Sequence, residues 1–378
     1  MKRGTLQDFN ASLPKINLLE IFTPKAMKPT RLEQDIQAQA ASLAAVLQHQ
    51  CGKGRPAAHG AAALLRPGKR VLIAGIGASL YASIPFENFL CSHGIDAVVV
   101  EAAELLHYRL HAYRDGVVVL VSRSGESVEI ARLLSALKGR LPIIGVSNEP
   151  EGTLARQADI SVQIGSLPDE AVAIQSYTGA LLTLHLLGSA MVSELDAAQE
   201  EIAALLPALP PFIASQLEEL RDWDTFLEAG APVYILGRGP SCGSALEGAL
   251  LFNEVAKAPA IGMPAASFRH GPVEVVDQDF KGLIFAPQGR TCDLNVGLAR
   301  DLARFGGRIR VIGPTRSDPA GLAWWNTPAW PEMLAPLVEI VPVQFAALRL
   351  AQLKGVPPGS FRYTPPVTRD EANFAPRK

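Results

Sequence analysis

The stretches VLIAGIGAS (Val71–Ser79) and VYILGRGPS (Val233–Ser241) decide the fold. In each, an apolar run without polar alternation ends in Gly-x-Gly, and a helical pattern follows. A short strand that is apolar at every position is buried on both faces, as in parallel sheets covered by helices. The second stretch begins 162 residues after the first, so the chain repeats one domain-sized unit. A length of 378 residues agrees with two domains, at roughly 100–200 residues each.

Outward from the first stretch, strands and helices alternate. Helical spacing covers Leu32–Gln50, and the Gly-, Pro- and Ala-rich Cys51–Pro67 reads as a connection. Strands are expected at Arg70–Ala74, Asp96–Val100, Val117–Val121, Pro142–Val146 and Ile160–Ile164, with helices at Ser79–Cys91, Ala102–His111, Val128–Lys138 and Ala171–Val192. Pro207–Pro211 suggests a connector before a helix at Ser215–Ala229. Beyond it the pattern restarts, with strands at Val233–Leu236, Leu283–Ala286 and Ile309–Ile312. The matching helices are Ser244–Val255, Leu294–Phe305 and Pro336–Lys354, the last with a kink or late start at Pro342. The fold class is α/β: two tandem flavodoxin-like parallel sheets with helices on both faces. The expected division is an N-terminal arm (1–30), a first domain (31–206), a second domain (207–354) and a tail (355–378) near the active site.

Hydrophobic residues make up 48% of the chain and charged residues 19%, which excludes a disordered chain. A net charge of −2 gives no reason to expect nucleic acid or a membrane surface as partner. The N-terminal MKRGTLQDFNASLPK has no apolar leader core, and the mostly apolar Ala180–Val192 is too short to span a bilayer. Cys51, Cys91, Cys242 and Cys292 form no CxxC pair and read as reduced, packed thiols. A cytoplasmic protein is expected.

The loop Ser122-Arg123-Ser124-Gly125-Glu126-Ser127 lies between an apolar strand and a helix. Hydroxyls, free N–H groups and the positive end of a helix dipole converge there, which suits a phosphate. Ser124 is placed to cap the helix, Ser127 to donate a hydroxyl and Arg123 to add a charged donor. The bland alternative is a simple capping loop. Gly75–Ser79 carries Gly-x-Gly, but Leu80 stands where a dinucleotide site needs its third glycine; Glu101 is the one acid placed for a ribose. Glu247 and Glu254 lie seven apart on one helical face, and His270 opens the segment His-Gly-Pro. A carboxylate with a histidine can move protons on a sugar, although a solvated glutamate and a structural histidine are the plain readings. His107, His111 and His185 read as packing or surface residues, and neither a metal site nor a cofactor is implied.

These segments resemble the sugar-isomerase (SIS) domain family, in particular the isomerase half of glucosamine-6-phosphate synthase and its stand-alone relatives. The resemblance runs from about residue 32 to the tail. It is strongest in LIAGIGAS (Leu72–Ser79), LVSRSGES (Leu120–Ser127), ILGRGPSCGSALEGALLFNEVA (Ile235–Ala256) and RHGPVEVVD (Arg269–Asp277). It implies two SIS domains, a homodimer and a sugar phosphate as ligand. The implied substrate-binding residues are Gly77, Ser79, Ser122, Arg123, Ser124, Gly125 and Ser127. Glu254 matches the glutamate that moves a proton between C1 and C2. His270 matches the ring-opening histidine, which in the synthase comes from the neighbouring subunit.

The sequence departs from that pattern. A glutaminase domain with its N-terminal cysteine is not expected, so glutamine-dependent synthesis is not either. Family lysines are replaced by Leu251 and Pro365, with Gln175 near a third, and Ser267 stands where many relatives carry glutamate. Lys257, Arg369, Arg377 and Lys378 are candidate substitutes. The expected function is a phosphosugar isomerase/deaminase turning an amino-sugar 6-phosphate into a ketose phosphate and ammonia. A sugar-phosphate-binding regulator and a fructosamine-phosphate deglycase are the alternatives. The loop Ala286–Arg290 lacks hydroxyls, so one phosphate site per chain is expected.

Overall fold

The computed structural model describes residues 29–170, 172–228, 230–315, 321–363 and 367–370. The expected N-terminal arm lies outside them except for residues 29 and 30, and so do Pro365, Arg377 and Lys378.

Three helices come first: α1 (Arg31–Gln37), α2 (Gln39–Cys51) and α3 (Arg55–Leu64). The reading of 51–67 as a connection is corrected by α3. Pro56 falls in the first turn of that helix, where its missing N–H costs nothing, and alanines carry the rest.

The first sheet follows: β1 (Val71–Gly75), α4 (Ala78–Ser92), β2 (Ala97–Glu101), short helical turns over 102–112, β3 (Val117–Val121), α5 (Val128–Leu137), β4 (Ile143–Ser147), α6 (Thr153–Gln157) and β5 (Ile160–Gln163). Helix α7 (Gln175–Met191) closes it, starting later than the sequence suggests. Asp169 explains the start, because its carboxylate accepts the Gln175 and Ser176 N–H groups at 2.7 and 3.0 Å.

The connector is helical: α8 (Leu195–Leu205), α9 (Leu209–Glu219) and α10 (Asp224–Glu228). The second sheet comprises β6 (Val233–Gly237), α11 (Ser241–Ala256), β7 (Ala260–Pro264), α12 (Ala265–Phe268), β8 (Lys281–Phe285), α13 (Cys292–Arg304), β9 (Arg308–Gly313) and β10 (Ala323–Asn326). Helix α14 (Pro336–Leu353) follows, continuous through Pro342.

Both sheets are parallel. Their orders are β2-β1-β3-β4-β5 and β7-β6-β8-β9-β10, one topology twice. The register repeats too: Val71 pairs with Ala97 and Val117, and Val233 with Ala260 and Lys281. Strand period divides the core. Val71, Ile73, Val117 and Val119 face a core shared with Val233, Ile235, Leu283 and Phe285 of the other sheet, while Leu72, Ala74, Val118 and Leu120 face a separate one. The two repeats therefore bury one face each against a common interior formed with α4, α7, α11 and α14. Among the described residues α14 alone is long and apolar enough to cross a bilayer, and 83% of it is buried as the central helix of that interior.

Candidate active site

In a doubly wound sheet, ligands bind beyond the carboxyl ends of the strands where the order reverses. In the first repeat that place lies between β1 and β3. Gly75 brings its two loops together: a Cβ there would stand 3.0 Å from the Ser79 backbone and 3.1 Å from the Val121 carbonyl. Gly77 adopts φ +53°, open to glycine at little cost, and turns the chain into α4.

The loop Ser122–Ser127 is held by its own hydroxyls. Ser122 Oγ accepts the Gly125 N–H at 3.1 Å, and Ser124 Oγ accepts the Glu126 N–H at 3.2 Å. Each hydroxyl used as an acceptor keeps its own O–H to donate to an anion. Ser124 consequently does not cap α5. The capping position is Ser127, whose side chain makes no cap bond, and the Val128 N–H goes to the Thr368 carbonyl at 3.1 Å. Gly125, at φ +67°, presses on Leu154, where any Cβ would meet the Leu154 side chain at 2.9 Å. Glu126 points to α6, accepting from Thr153 N and Oγ1, and these bonds hold its carboxyl below the usual range.

The candidate acid–base residues, Glu254 and His270, come from the second repeat. Helix α11 crosses α4 so closely that a Cβ on Gly243 would collide with the Tyr81 carbonyl, and Leu250 Cδ2 lies 3.7 Å from where a Cβ on Gly77 would be. Glu247 and Glu254 share the helix face that meets the first repeat. Burial raises the Glu254 carboxyl above its ordinary range, against the lowering pull of Lys257 and then Arg123. Arg123 likewise pulls on the largely buried Asp169. Glu247 is 1% exposed, and burial, with the charges of Glu254 and Asp169, drives it strongly toward the neutral form. Tyr81 on α4 lies within electrostatic reach of both glutamates; burial first, then those charges, keeps it protonated. The structure thus sets Arg123 of the hydroxyl loop within electrostatic reach of Glu254 of the opposite repeat.

His270 is exposed on the turn after α12, its N–H donating to the Ser267 carbonyl at 3.0 Å. Among the described residues no hydrogen bond or charge interaction links it to Glu254 of the same chain. Leu251, one of the lost lysine positions, is fully buried in the shared core. Gln175 is buried, with Nε2 donating to the Pro168 carbonyl at 3.1 Å. Lys257 donates Nζ to the Glu254 carbonyl, whereas Arg369 lies near Glu126. Glu101, the one acid suited to a ribose, is spent accepting the Glu104 N–H at 2.9 Å. His185 packs edge-on to Phe89 at 5.0 Å, and burial lowers it to about 4. Cys51 and Cys91 are exposed, which corrects the reading of all four thiols as packed.

The sequence reading missed Tyr81 and Asp169. Tyr81 was within view, two residues after Ser79. Asp169 was visible only as an acid ahead of a helix.

The SIS domain pattern matches residues 64–192 and 227–353, one match per repeat. The chain belongs to the SIS domain family. Among curated SIS relatives, it is 28% identical to a glutamine–fructose-6-phosphate aminotransferase (isomerizing) of Pyrococcus horikoshii, over 78% of this chain and 50% of that protein. The enzyme of the same name from Zymomonas mobilis is 30% identical, over 76% and 50%. The chain therefore spans about half the length of these relatives. Among solved structures, the C-terminal domain of the Francisella tularensis glucosamine-fructose-6-phosphate aminotransferase superposes with TM-score 0.79 at 19% identity, covering 89% of this chain and 99% of that one. A glucosamine-6-phosphate deaminase from Thermotoga maritima gives TM-score 0.72 at 19% identity, covering 90% and 99%. These likenesses show the SIS fold.

Proposed function

We propose that this chain is a phosphosugar isomerase/deaminase that converts an amino-sugar 6-phosphate into a ketose 6-phosphate and ammonia. The observation that carries the reading is that Arg123, in the hydroxyl loop at the β1/β3 switch point, lies within electrostatic reach of the half-buried Glu254 from the other repeat. The names of the relatives support it: an isomerizing aminotransferase, a deaminase and, from Escherichia coli, a tagatose-6-phosphate ketose/aldose isomerase.

Gly77, Ser79, Ser122, Arg123, Ser124, Gly125 and Ser127 hold the phosphate. Once the ring is open, Glu254 takes the proton from C2 of the 2-amino aldehyde, giving an enolamine. Returning a proton to C1 yields a 2-imine, and water replaces its nitrogen to give ketose and ammonia. A base for this step works best when its pKa is lifted toward neutrality, as burial does to Glu254. His270, exposed and apart from Glu254 in its own chain, serves ring opening from a second copy of the chain in a dimer.

The test is ammonia release coupled to ketose 6-phosphate formation, with glucosamine, galactosamine and fructosamine 6-phosphates. Release from one of the first two, cut at least ~10²-fold by Glu254→Gln, is the expected result. Release from fructosamine 6-phosphate alone makes the protein a deglycase. Thermal stabilisation by these sugars without turnover makes it a binding protein, a reading favoured by Leu251, a buried apolar residue where the resemblance places a lysine.

A further inference from the structure

The two phosphate-type loops of the first repeat have counterparts in the second. Ser241 stands 162 residues after Ser79, and Gly239 has the same φ of +53° as Gly77. Ala286–Arg290, following β8, is the counterpart of the loop following β3. Both positions are taken up by the chain itself. The Ser241 hydroxyl donates to Glu339 Oε2 at 3.0 Å. Glu339 is 1% exposed, and its Oε1 has no hydrogen-bond partner among the described residues. The Arg290 N–H donates to Glu332 Oε2 at 3.2 Å, and the Glu332 side chain lies over Gly289 where any Cβ would collide with it.

Glu332 lies in the segment that leads into α14, the counterpart of the segment that leads into α7, and Glu339 lies in the first turn of α14 itself. In the first repeat the acid of that segment, Asp169, folds back onto its own helix, bonding Gln175 and Ser176. In the second repeat the equivalent stretch reaches across to the loop after β8 instead.

We propose that the second repeat is an anion cradle filled by the chain's own carboxylates, Glu332 standing at the loop 286–290 and Glu339 at Ser241. This rests on the reading that the first-repeat loops hold a phosphate. A carboxylate accepts from backbone N–H and hydroxyl donors at a strand-to-helix turn as a phosphate does. Being tethered, it forfeits no translational freedom on docking and outcompetes free anions at ordinary concentrations. The second repeat then gives up ligand binding and serves to present Glu254 to the first.

The probe is inorganic phosphate, added to the full chain while thermal stability and bound equivalents are followed. The wild type is expected to bind one equivalent, lost in Ser124→Ala/Ser127→Ala. Glu332→Ala uncovers Gly289 and the Arg290 N–H, and gains a second phosphate-dependent stabilisation that survives Ser124→Ala/Ser127→Ala. Affinity at that place is expected to rise at least ~10-fold over wild type. Glu339→Gln, which keeps an acceptor for Ser241, gains none. A second equivalent in the wild type that persists without the first-repeat serines would overturn the proposal. So would a folded Glu332→Ala chain with no gain; Glu332→Ser repeats the comparison should Glu332→Ala fail to fold. A wild type that binds no phosphate at all would sink the first-repeat reading, and the Glu332 comparison would still decide the second repeat.

Discussion

Glu254 is pulled in two directions. Removal from water raises its pKa, while Lys257 and Arg123 lower it. A carboxylate base loses activity as pH falls through its pKa, so the acidic limb of kcat/KM is expected above the ordinary carboxylate value of about 4.3. Arg123→Gln removes one lowering charge and is expected to move that limb to higher pH, besides raising KM for the sugar phosphate. A pH profile that shifts downward or stays put would remove Arg123 from the electrostatics of the base. Glu339 offers a second pH test at this scale. It is wholly buried and raised to about 7, by burial first, with Glu332 adding to the rise; it faces Ser241, Ser244 and Cys242 on α11 and Tyr177 on α7. A raised carboxyl binds its proton in the folded state, so stability is retained below the unfolded pKa and falls as pH rises toward 7. The loss is on the order of 3 kcal/mol, at about 1.4 kcal/mol per unit. Glu339→Gln is therefore expected to raise Tm over wild type more at pH 8 than at pH 5. An equal difference at both pH values would mean the carboxyl is not buried as described.

At the scale of elements, the crossing of α4 and α11 sets the site. Gly243 lets the two helices touch at the Tyr81 carbonyl. Gly243→Ala forces them apart and is expected to cost about 1–3 kcal/mol, read by denaturant unfolding. It is also expected to lower kcat, because Tyr81 and Glu254 move with the helices; unchanged stability and rate would mean that the crossing tolerates a methyl. The elements flanking this crossing were legible in the sequence because strands buried on both faces, such as Val71–Gly75, are apolar at every position. Strands β7 and β10 were not legible. They lie at the sheet edge, where Ile261 is exposed and Gly262 and Pro264 break any apolar run. Helix α3 was hidden by Pro56 and Gly60, residues that mark a loop unless their place in the helix is known. The hydroxyl loop and Glu254 were readable as local motifs. Tyr81, Asp169, Glu332 and Glu339 were not, because only the fold brings distant segments to them.

The whole molecule has one interior shared by both repeats. Ile73 and Ile235 belong to different sheets and to the same cluster, which also takes in the apolar residues of α14. Neither repeat keeps that face dry alone, so the chain is expected to unfold in one transition. The four tryptophans, Trp223, Trp324, Trp325 and Trp330, all lie in the second half, so fluorescence follows that half while far-ultraviolet dichroism follows both. Coincident urea midpoints by the two probes are the expected result, and separated midpoints would mean that the halves fold independently. The same shared interior sets the hydroxyl loop on one repeat and Glu254 on the other, so on the proposed function catalysis belongs to the pair. The most direct check of that claim is deuterium exchange at C2 of glucosamine 6-phosphate in D2O, followed by proton NMR. The account predicts wash-out of the C2 proton signal with the wild-type chain and its loss both in Glu254→Gln and in Ser124→Ala/Ser127→Ala. Wash-out that persists undiminished in Glu254→Gln would contradict it.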